Sequence, residues 1–347
     1  MSAMGDIIHS LPAVAALRRA YPQARIGWAI EDRWLELLSA RAAVGDAQRS
    51  PARPLVDVIH KVNTRAWRNA PFSIATWRKM REVVRELQHE RYDLAVDMQA
   101  AIRSALLAKF SRTPRRVGFA APREAPAKLF YTQAVSTSAI HVVDQGLQLA
   151  QTITSGESVR AEFPLPCDPE AARWCDEQLE KFSVSDFVIM SPGAGWGAKC
   201  WPAERYGEVA RALQREGMAV LVNSGPGEEE LAQRLLQASQ GAAQKLSCSL
   251  AQLIALTRRA QLFIGGDTGP VHLAAALSIP VVAIYGPTNP ARNGPFGPSG
   301  TNTIIQVLRS TGSRTSHARH NAPEEGLLQI SVEQVQGAAL SLLRAKQ

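Results

Sequence analysis

Short apolar runs alternate with helix-length amphipathic segments throughout the second half of the chain. The clearest example contains two apolar runs, Leu262–Ile264 and Val281–Tyr285, which have the length and composition of strands buried on both faces of a sheet. Between these runs, Gly265–Gly266 predicts a turn, and the Ala-rich segment Pro270–Leu277 predicts a helix. A strand, a turn, a helix and a second strand together predict a parallel βαβ unit.

The same alternation occurs upstream of this unit. The apolar run Phe187–Met190 predicts a buried strand, and the glycine-rich loop Ser191–Pro202 leads from it into a helix predicted at Ala203–Glu216. Ala219–Asn223 predicts the next strand, and Glu228 lies at the start of the helix that follows. Further helices are predicted at 169–182, 250–259 and 331–345. Repeated units of this kind are typical of an α/β fold with a parallel sheet.

The first half of the chain is also α/β in character but less regular. Apolar spacing predicts a helix directly after a glycine turn, with Asp6 in its first turn. The other predicted strands lie at 25–30, 56–61, 92–97 and within 112–123, and the other predicted helices at 31–38, 65–91, 102–110, 124–131 and 141–154. A polar stretch around residues 156–169 predicts a linker. We therefore divide the chain into domains at 1–160 and 161–330 and a C-terminal helix at 331–347.

Length and composition are those of a two-domain globular protein. The chain has 347 residues, of which 46% are apolar and 20% charged, and this length exceeds what a single core usually supports. No apolar run approaches the roughly 20 residues that span a bilayer, and no signal peptide is recognisable. The four cysteines show neither paired metal-ligand spacing nor a disulfide pattern, which favours reduced thiols in the cytosol.

The net charge of +8 is carried entirely by the first half. Residues 1–165 contain 23 Lys and Arg against 15 Asp and Glu, whereas the remainder is neutral. This asymmetry indicates an anionic partner, which could be a phosphorylated substrate, a membrane surface or a nucleic acid. Aromatic residues Trp67, Phe72 and Trp77 lie among the arginines of the basic helix. We therefore expect this half to bind anionic lipid surfaces reversibly.

Glycine-rich loops follow the predicted strands of the second half, at Gly193–Lys199, Gly225–Glu228 and Gly265–Gly269. The carboxyl ends of parallel strands lie at one edge of a sheet, so we expect these loops to converge on one ligand. Backbone N–H groups, one lysine and several carboxylates suit a phosphate attached to a sugar or nucleoside. The loops match neither a P-loop nor a tight GxGxxG, and we find no DxD pair suited to a metal.

Three motifs occur in order along the chain: MGDIIHSLPA from Met4, SPGAGWGAKCWPAERY from Ser191 and GGDTGPVHLAAALSIPVVAIYGPT from Gly265. With the RVGF stretch ending at Arg123–Glu124, they resemble the ADP-heptose–lipopolysaccharide heptosyltransferases of glycosyltransferase family 9. The resemblance covers almost the whole chain. It implies a GT-B architecture, in which two Rossmann-like domains face a cleft.

The resemblance also implies an activity. The enzyme would be an inverting glycosyltransferase that needs no metal and no cofactor. It would move a heptose from ADP-heptose, bound by the C-terminal domain, to the anionic Kdo-lipid A acceptor, bound by the N-terminal domain. We expect a monomer that binds no nucleic acid and lies peripherally on the cytoplasmic face of the inner membrane.

Site residues follow from the motifs position by position. Asp6 would be the general base that accepts the proton of the acceptor hydroxyl, and helix capping is its structural alternative. The structural alternative for His272 is a packed or capping residue of its helix. Where many family members have Thr or Ser before the lysine, this loop has Ala194–Gly197, so backbone N–H groups would bind the phosphates. The donor-site residues are Lys199, Glu228, Asp267, Thr268, Gly269 and His272. The acceptor-site residues are Arg123 of the RE stretch and, outside the motifs, Arg65 and Arg68 of the basic helix; solvated surface charge is the structural alternative for these arginines.

Two other functions remain open on the sequence. A nucleotide-sugar epimerase on the same two-domain scaffold would convert its nucleotide-sugar without any acceptor. A basic nucleic-acid-binding regulatory protein would shift DNA in a salt-sensitive manner without consuming a sugar donor, although no recognisable nucleic-acid-binding motif organises the basic residues.

The sequence before Gly5 is short for the first strand of a Rossmann-like domain. A Rossmann-like domain begins with a strand that leads into its first glycine turn. Only four residues precede Gly5, whereas a strand has about five. We therefore expect that the first strand of the N-terminal domain is missing, that the chain is a late start or a truncation, and that the N-terminal sheet has a gap.

Overall fold

The computed structural model describes residues 3–46, 48–70, 72–154, 156, 159–313 and 322–346. The chain forms two compact units, Met1–Cys167 and Asp168–Gln347. The sequence places this boundary after residue 160, and the structure places it after Cys167. The C-terminal helix, which the sequence analysis separates at 331–347, belongs to the second unit. No helix among the described residues has both the length and the apolar character needed to cross a membrane.

The first unit is built from helices and short parallel strands. Its elements are α1 Met4–Ala20, β1 Gly27–Glu31, β2 Val58–Val62, α2 Thr64–Asn69, α3 Ile74–His89, β3 Leu94–Asp97, α4 Ile102–Phe110, β4 Arg115–Phe119, β5 Gln133–Val135 and α5 Val142–Ile153. Short 3-10 helices occur at Asp32–Leu37, Arg41–Ala43 and Ala125–Phe130. The first and last of these replace the helices predicted at 31–38 and 124–131.

Two predictions for this unit are wrong in detail. The expected glycine turn before the first helix is not formed, because α1 begins at Met4 and Gly5 is already helical. The long helix predicted at 65–91 is two helices, α2 and α3. Pro71 lies between them, and a proline supplies no backbone N–H and disfavours helix in the residue before it.

The strands of the first unit form separate sheets. β1 pairs with β2, and β4 lies between β3 and β5, all in parallel. Among the described residues no strand joins the pair to the triplet. The predicted gap in the N-terminal sheet is therefore confirmed. α1 packs against α5, and its residues Ile8, Leu11 and Ala13 are fully buried.

The second unit has a regular Rossmann-like architecture. Its elements are α6 Pro169–Lys181, β6 Phe187–Ser191, α7 Ala203–Arg215, β7 Ala219–Val222, α8 Glu229–Ser239, β8 Ala243–Lys245, α9 Leu250–Thr257, β9 Leu262–Gly266, α10 Gly269–Ala276, β10 Val281–Tyr285, α11 Pro290–Asn293, β11 Ile305–Arg309, α12 Glu325–Leu328 and α13 Val332–Lys346. In the described part of the chain its strands form one parallel sheet in the order β11-β10-β9-β6-β7-β8. This is the doubly wound order of dinucleotide-binding domains, with β6 as the first strand.

The central strands of this sheet are buried on both faces. Every residue of β6, β9 and β10 is buried, because helices cover both sides of the sheet. One side packs around Val188, Ile264 and Ile284, and the other around Ile189 and Phe263. These continuous apolar runs explain why the sequence predicts the central strands correctly.

Candidate functional site

The strand order of the second unit reverses between β6 and β9. The two strands are parallel neighbours, and Ser191 at the end of β6 pairs with Gly265 near the end of β9. The glycine-rich loop after β6 and the segment that starts α10 therefore leave the sheet side by side. In open α/β sheets the ligand crevice lies at such a switch point, beyond the carboxyl ends of the strands.

Asp267 is the centre of a polar network at this point. Its side chain is only 9% exposed, and its Oδ2 atom forms an ion pair with Nζ of Lys199. The same Oδ2 atom accepts a hydrogen bond from the Thr288 hydroxyl at 2.7 Å, and Oδ1 accepts one from the Tyr285 hydroxyl at 3.2 Å. Nε2 of His272, one turn into α10, lies 3.4 Å from Oδ1. Asp267 thus links the loop after β6, the start of α10 and the end of β10.

The charges of this network are fixed by burial and by the partners. Burial raises the pKa of Asp267, but the hydrogen bond from His272 and the positive charge of Lys199 outweigh it, so this pKa lies well below its usual value. Burial, with a smaller contribution from the Asp267 charge, holds the pKa of Tyr285 well above its ordinary range. At neutral pH Asp267 is therefore an anion and Tyr285 a neutral hydrogen-bond donor.

Lys199 is held in place from several directions. It ends the 3-10 turn Gly197–Lys199, and its ammonium lies 4.2 Å from the centre of the Trp196 ring, within cation–π range. The adjoining Trp201 is fully buried, and its indole N–H donates to the carbonyl of Ile330 at 3.0 Å. The loop therefore presents a preorganised cation at the switch point.

Glu228 joins the second glycine-rich loop to the first. It precedes α8, and its Oε2 atom accepts a hydrogen bond from the Gly225 N–H at 2.7 Å. A methyl group at Gly193 would overlap the Glu228 carboxylate, so glycine at this position allows the two loops to touch. Burial raises the pKa of Glu228. Its neighbours Glu229 and Glu230 are exposed, and the geometry thus distinguishes Glu228 among the three carboxylates.

The N-terminus of α10 completes this arrangement. Thr268 precedes the helix with an extended backbone and makes no side-chain cap. Its hydroxyl oxygen is buried and has no hydrogen-bond partner among the described residues. The unpaired N–H groups of a first helical turn and this hydroxyl favour an anion at the same point.

The three glycine-rich loops therefore lie together at the switch point. Lys199 and Asp267 connect the first loop to the third, and Gly193 and Glu228 connect the first to the second. His272 is buried but contacts Asp267, so it belongs to the polar network as well as to its helix. Tyr285 and Thr288 were not predicted as partners of Asp267. In the sequence, the feature that could have indicated them is their position at or just after the end of a buried strand.

In the first unit, Asp6 lies in the first turn of α1 and is exposed. Its Oδ2 atom accepts a hydrogen bond from the Ala3 N–H at 3.2 Å. The capping contact weighed from the sequence is therefore present. It uses one carboxylate oxygen and leaves the side chain at the surface.

The predicted acceptor-site arginines follow β2 and β4. Arg65 and Arg68 lie in α2, but their side chains are outside the described part of the structure. Arg123 is exposed in the loop after β4. Its neighbour Glu124 fixes this loop, because its carboxylate accepts from the Ile102 N–H at 2.8 Å and its own N–H donates to the Ala100 carbonyl at 3.0 Å.

Two further polar residues of the first unit were missed. Arg103 is exposed in the first turn of α4, and its Nη1 atom lies 3.5 Å from the hydroxyl of Thr64 at the start of α2. The contact places the carboxyl ends of β2 and β3 at one edge of the unit. Asp97 is buried at the end of β3 and accepts hydrogen bonds from the hydroxyls of Ser104 (2.9 Å) and Tyr131 (2.7 Å). The signals available in the sequence were an acidic residue, Asp97, at the end of the predicted strand 92–97 and a basic residue, Arg103, shortly after that strand.

In the part of the chain that the structure describes, no group of three or more His, Cys, Asp and Glu side chains is placed to hold a metal ion.

Comparisons with known proteins agree with this geometry. The family model described as glycosyltransferase family 9 (heptosyltransferase) matches residues 80–319, which is more than half of the chain. Lipopolysaccharide heptosyltransferase 1 of Pseudomonas aeruginosa is 29% identical over 309 residues, covering 86% of this chain and 80% of that protein. The namesake enzyme of Escherichia coli O18:K1:H7 is 27% identical over 93% of this chain and 94% of its own length.

The fold is shared as well. The solved structure of E. coli heptosyltransferase WaaC with ADP has a TM-score of 0.77 to this chain at 24% identity, covering 99% of this chain and 98% of that one. The described units are α/β with parallel sheets, as expected for GT-B proteins. From the family match across most of its length, this chain belongs to glycosyltransferase family 9, the heptosyltransferase family, and is a glycosyltransferase of the GT-B fold.

Proposed function

We propose that the protein transfers a heptose from ADP-heptose to the anionic Kdo-lipid A acceptor in lipopolysaccharide core biosynthesis. The observation that carries this proposal is the buried pair of Lys199 and Asp267 at the β6–β9 switch point. A fixed cation beside a helix N-terminus suits the diphosphate of a nucleotide-sugar. The names of the relatives, which are lipopolysaccharide heptosyltransferases, support a heptose as the sugar and lipopolysaccharide as the class of acceptor.

On the donor side, the diphosphate contacts Lys199, the first N–H groups of α10 and the Thr268 hydroxyl. Asp267 orients Lys199 through their ion pair. Glu228 accepts hydrogen bonds from hydroxyls of the ribose or the heptose. When the bond from the anomeric carbon to ADP breaks, negative charge grows on the departing diphosphate. Lys199 and the helix N-terminus stabilise that charge in the transition state, and no metal is required for this step.

On the acceptor side, Asp6 acts as the general base. Its exposed carboxylate takes the proton of the acceptor hydroxyl as the hydroxyl oxygen bonds to the anomeric carbon. The hydroxyl attacks from the face opposite to ADP, so the configuration at that carbon inverts. Asp6 gains a proton, and ADP leaves with the bonding electron pair.

The acceptor is recognised by arginines at the carboxyl edge of the first unit. Arg65, Arg68 and Arg123 bind its carboxylates and phosphates, and Arg103 extends the same basic edge. Guanidinium groups pair bidentately with both kinds of anion. This requirement for an anionic acceptor is consistent with the positive charge of the first half.

The test is incubation of the full chain with ADP-heptose and Kdo-lipid A, followed by mass spectrometry of the lipid and NMR of the new glycosidic bond. We expect one added heptose with inverted configuration, both with and without EDTA. A reaction without acceptor serves as the control for an epimerase. Conversion of the nucleotide-sugar there, with no modified lipid in the complete mixture, would overturn the proposal.

A further inference from the structure

Large apolar side chains are exposed together where α2 gives way to α3. Phe72 is 93% exposed, Ile74 87% and Trp77 56%. Because α2 ends at Asn69 and α3 begins at Ile74, the three side chains belong to one corner of the first unit. An isolated exposed apolar residue needs no explanation, but a group of three large ones marks a surface that contacts an apolar phase or partner.

The outward face of α3 continues this corner with positive charge. The helix buries Thr76, Val83 and Leu87, and Val83 and Leu87 pack with Val62 of β2. The opposite face carries Ile74 and then, at spacings of three and four residues, Arg78, Arg81 and Arg85, all of them exposed. Trp77 lies at the edge of this face. The acidic residues Glu82 and Glu86 fall to one side of it.

We propose that this surface, formed by Phe72, Ile74, Trp77, Arg78, Arg81 and Arg85, docks the protein on an anionic lipid bilayer. The apolar corner enters the interface between headgroups and acyl chains, and the arginines along α3 bind lipid phosphates. A basic helix face with aromatic and aliphatic residues at one end is the pattern of interfacial membrane binding. The exposed arginines next to the apolar corner favour an anionic lipid surface over an apolar protein groove.

The position of this surface is consistent with a reaction on a lipid-linked molecule. The corner follows β2, and the carboxyl end of β2 lies at the same edge of the unit as the start of α4, where Arg103 contacts Thr64. A bilayer bound at the corner therefore lies beside the edge that carries Arg103. The docking itself does not depend on the proposed transfer, because it requires only lipid and not donor, acceptor or catalysis.

The experiment is vesicle sedimentation with the full chain and vesicles that contain no glycolipid acceptor. Vesicles of phosphatidylcholine alone are compared with vesicles that also contain phosphatidylglycerol, at low and high salt. We expect binding to the anionic vesicles only, and we expect it to weaken as salt screens the arginines. Equal binding to neutral vesicles, or no binding to either, would overturn the proposal.

Variants localise the surface. F72A/W77A removes two of the apolar side chains, and R81E/R85E reverses two charges of the helix face. We expect R81E/R85E to weaken binding at least roughly tenfold, since each arginine near an anionic surface contributes about a factor of five. The matched controls are L129A/I140A, which removes exposed apolar side chains elsewhere in the first unit, and R173E/R215E, which reverses exposed charges in the second.

All variants change exposed residues, and circular dichroism melts verify that each one folds. The controls should bind anionic vesicles as the wild type does. Equal losses in the control variants would show that general charge or hydrophobicity, and not this surface, causes binding. If R81E/R85E abolished a DNA shift but left vesicle binding intact, the surface would be a nucleic-acid site and the proposal would be wrong.

Discussion

At the scale of single residues, the proposed donor site is centred on the ion pair of Lys199 and Asp267. Both side chains are largely buried, and a buried charge is stable only when it is paired and hydrogen-bonded. The additional bonds from Thr288 and Tyr285 to Asp267 meet this requirement. The pair is therefore preformed and does not need the ligand in order to assemble.

Replacement of Lys199 tests the phosphate contact. We expect Lys199→Ala to weaken ADP binding by roughly 10- to 100-fold, because hydrogen bonds to charged groups are worth about 1.5–3 kcal/mol. Transfer should slow as well, since the same contact stabilises the departing ADP. Titration calorimetry with ADP measures the effect, and Lys245→Ala, at an exposed lysine of β8, is the control. Unchanged ADP affinity in Lys199→Ala would remove this residue from the donor site.

Asp6 is expected to act only in the transition state. Asp6→Asn should reduce kcat by roughly 10²- to 10⁴-fold, the usual contribution of a general base, while ADP binding stays near the wild-type level. The asparagine oxygen can still accept the Ala3 hydrogen bond, so the start of α1 should remain folded. A variant that kept more than about a tenth of the wild-type kcat would show that another group is the base.

The low pKa of Asp267 predicts how the stability of the fold depends on pH. A carboxyl group whose pKa is lower in the folded than in the unfolded state, where it is about 3.9, stabilises the fold fully above the unfolded value. This contribution is lost as the pH falls through the folded-state pKa. We expect the free energy of unfolding in urea to be roughly 3 kcal/mol higher for the wild type than for Asp267→Asn at pH 7.

The difference between the two proteins should narrow progressively below about pH 4, where the unfolded carboxyl begins to bind its proton. Glu228 shifts in the opposite direction, but it is present in both proteins and its contribution cancels. A difference that stayed constant between neutral and strongly acidic pH would show that the Asp267 charge does not stabilise the fold.

The residues of the network differ in how well the sequence predicts them. Lys199, Asp267 and Glu228 follow buried strands as polar residues in glycine-rich loops, so they could be selected. Tyr285 and Thr288 could not, because their contacts with Asp267 depend on the register in which β9 pairs with β10 and on the path of the chain after β10. The 3.5 Å contact between Arg103 and Thr64 likewise joins residues far apart in the chain.

At the scale of elements, the contact between the loops after β6 and β7 is the most sensitive feature. Gly193→Ala would place a methyl group in the space of the Glu228 carboxylate. That carboxylate ends a flexible side chain, so we expect it to swing away while the backbone remains in place. Stability should change little, and ADP-heptose binding should weaken if Glu228 holds a sugar hydroxyl.

Gly195→Ala is the matched control, because a methyl group there meets nothing within 4 Å. Calorimetric titration with ADP-heptose should therefore give near wild-type affinity for Gly195→Ala and reduced affinity for Gly193→Ala. Equal affinities for the two variants would mean that the position of Glu228 does not matter for the donor.

The sequence predicts strands correctly where both of their faces are buried, because such strands consist of continuous apolar residues. β6, β9 and β10 are fully buried and appear as continuous apolar runs. β8 and β11, at the two edges of that sheet, and β5, at the edge of its own, were missed. β5 and β8 have three residues each, and most residues of β8 and all of β11 are only partly covered or exposed. Edge strands therefore lack the apolar pattern that identifies central ones.

At the scale of the whole molecule, the two units differ in net charge and in exposed surface. The neutral second unit has the regular sheet and the buried pair of Lys199 and Asp267, whereas the basic first unit carries exposed arginines and the apolar corner of α3. The asymmetry of charge was evident from the sequence. The separation of the N-terminal strands into two sheets agrees with the predicted gap, and the exposure of Phe72 and Ile74 required the structure.

The proposed reaction moves a sugar from a nucleotide to an acceptor in one coupled step. The most direct test measures ADP released and heptose gained by Kdo-lipid A in the same reaction, by chromatography and mass spectrometry. We predict one ADP for every heptose transferred, with both products lost together in Asp6→Asn. Release of ADP without a gain of heptose by the lipid, or heptose gain that is unaffected in Asp6→Asn, would contradict this account.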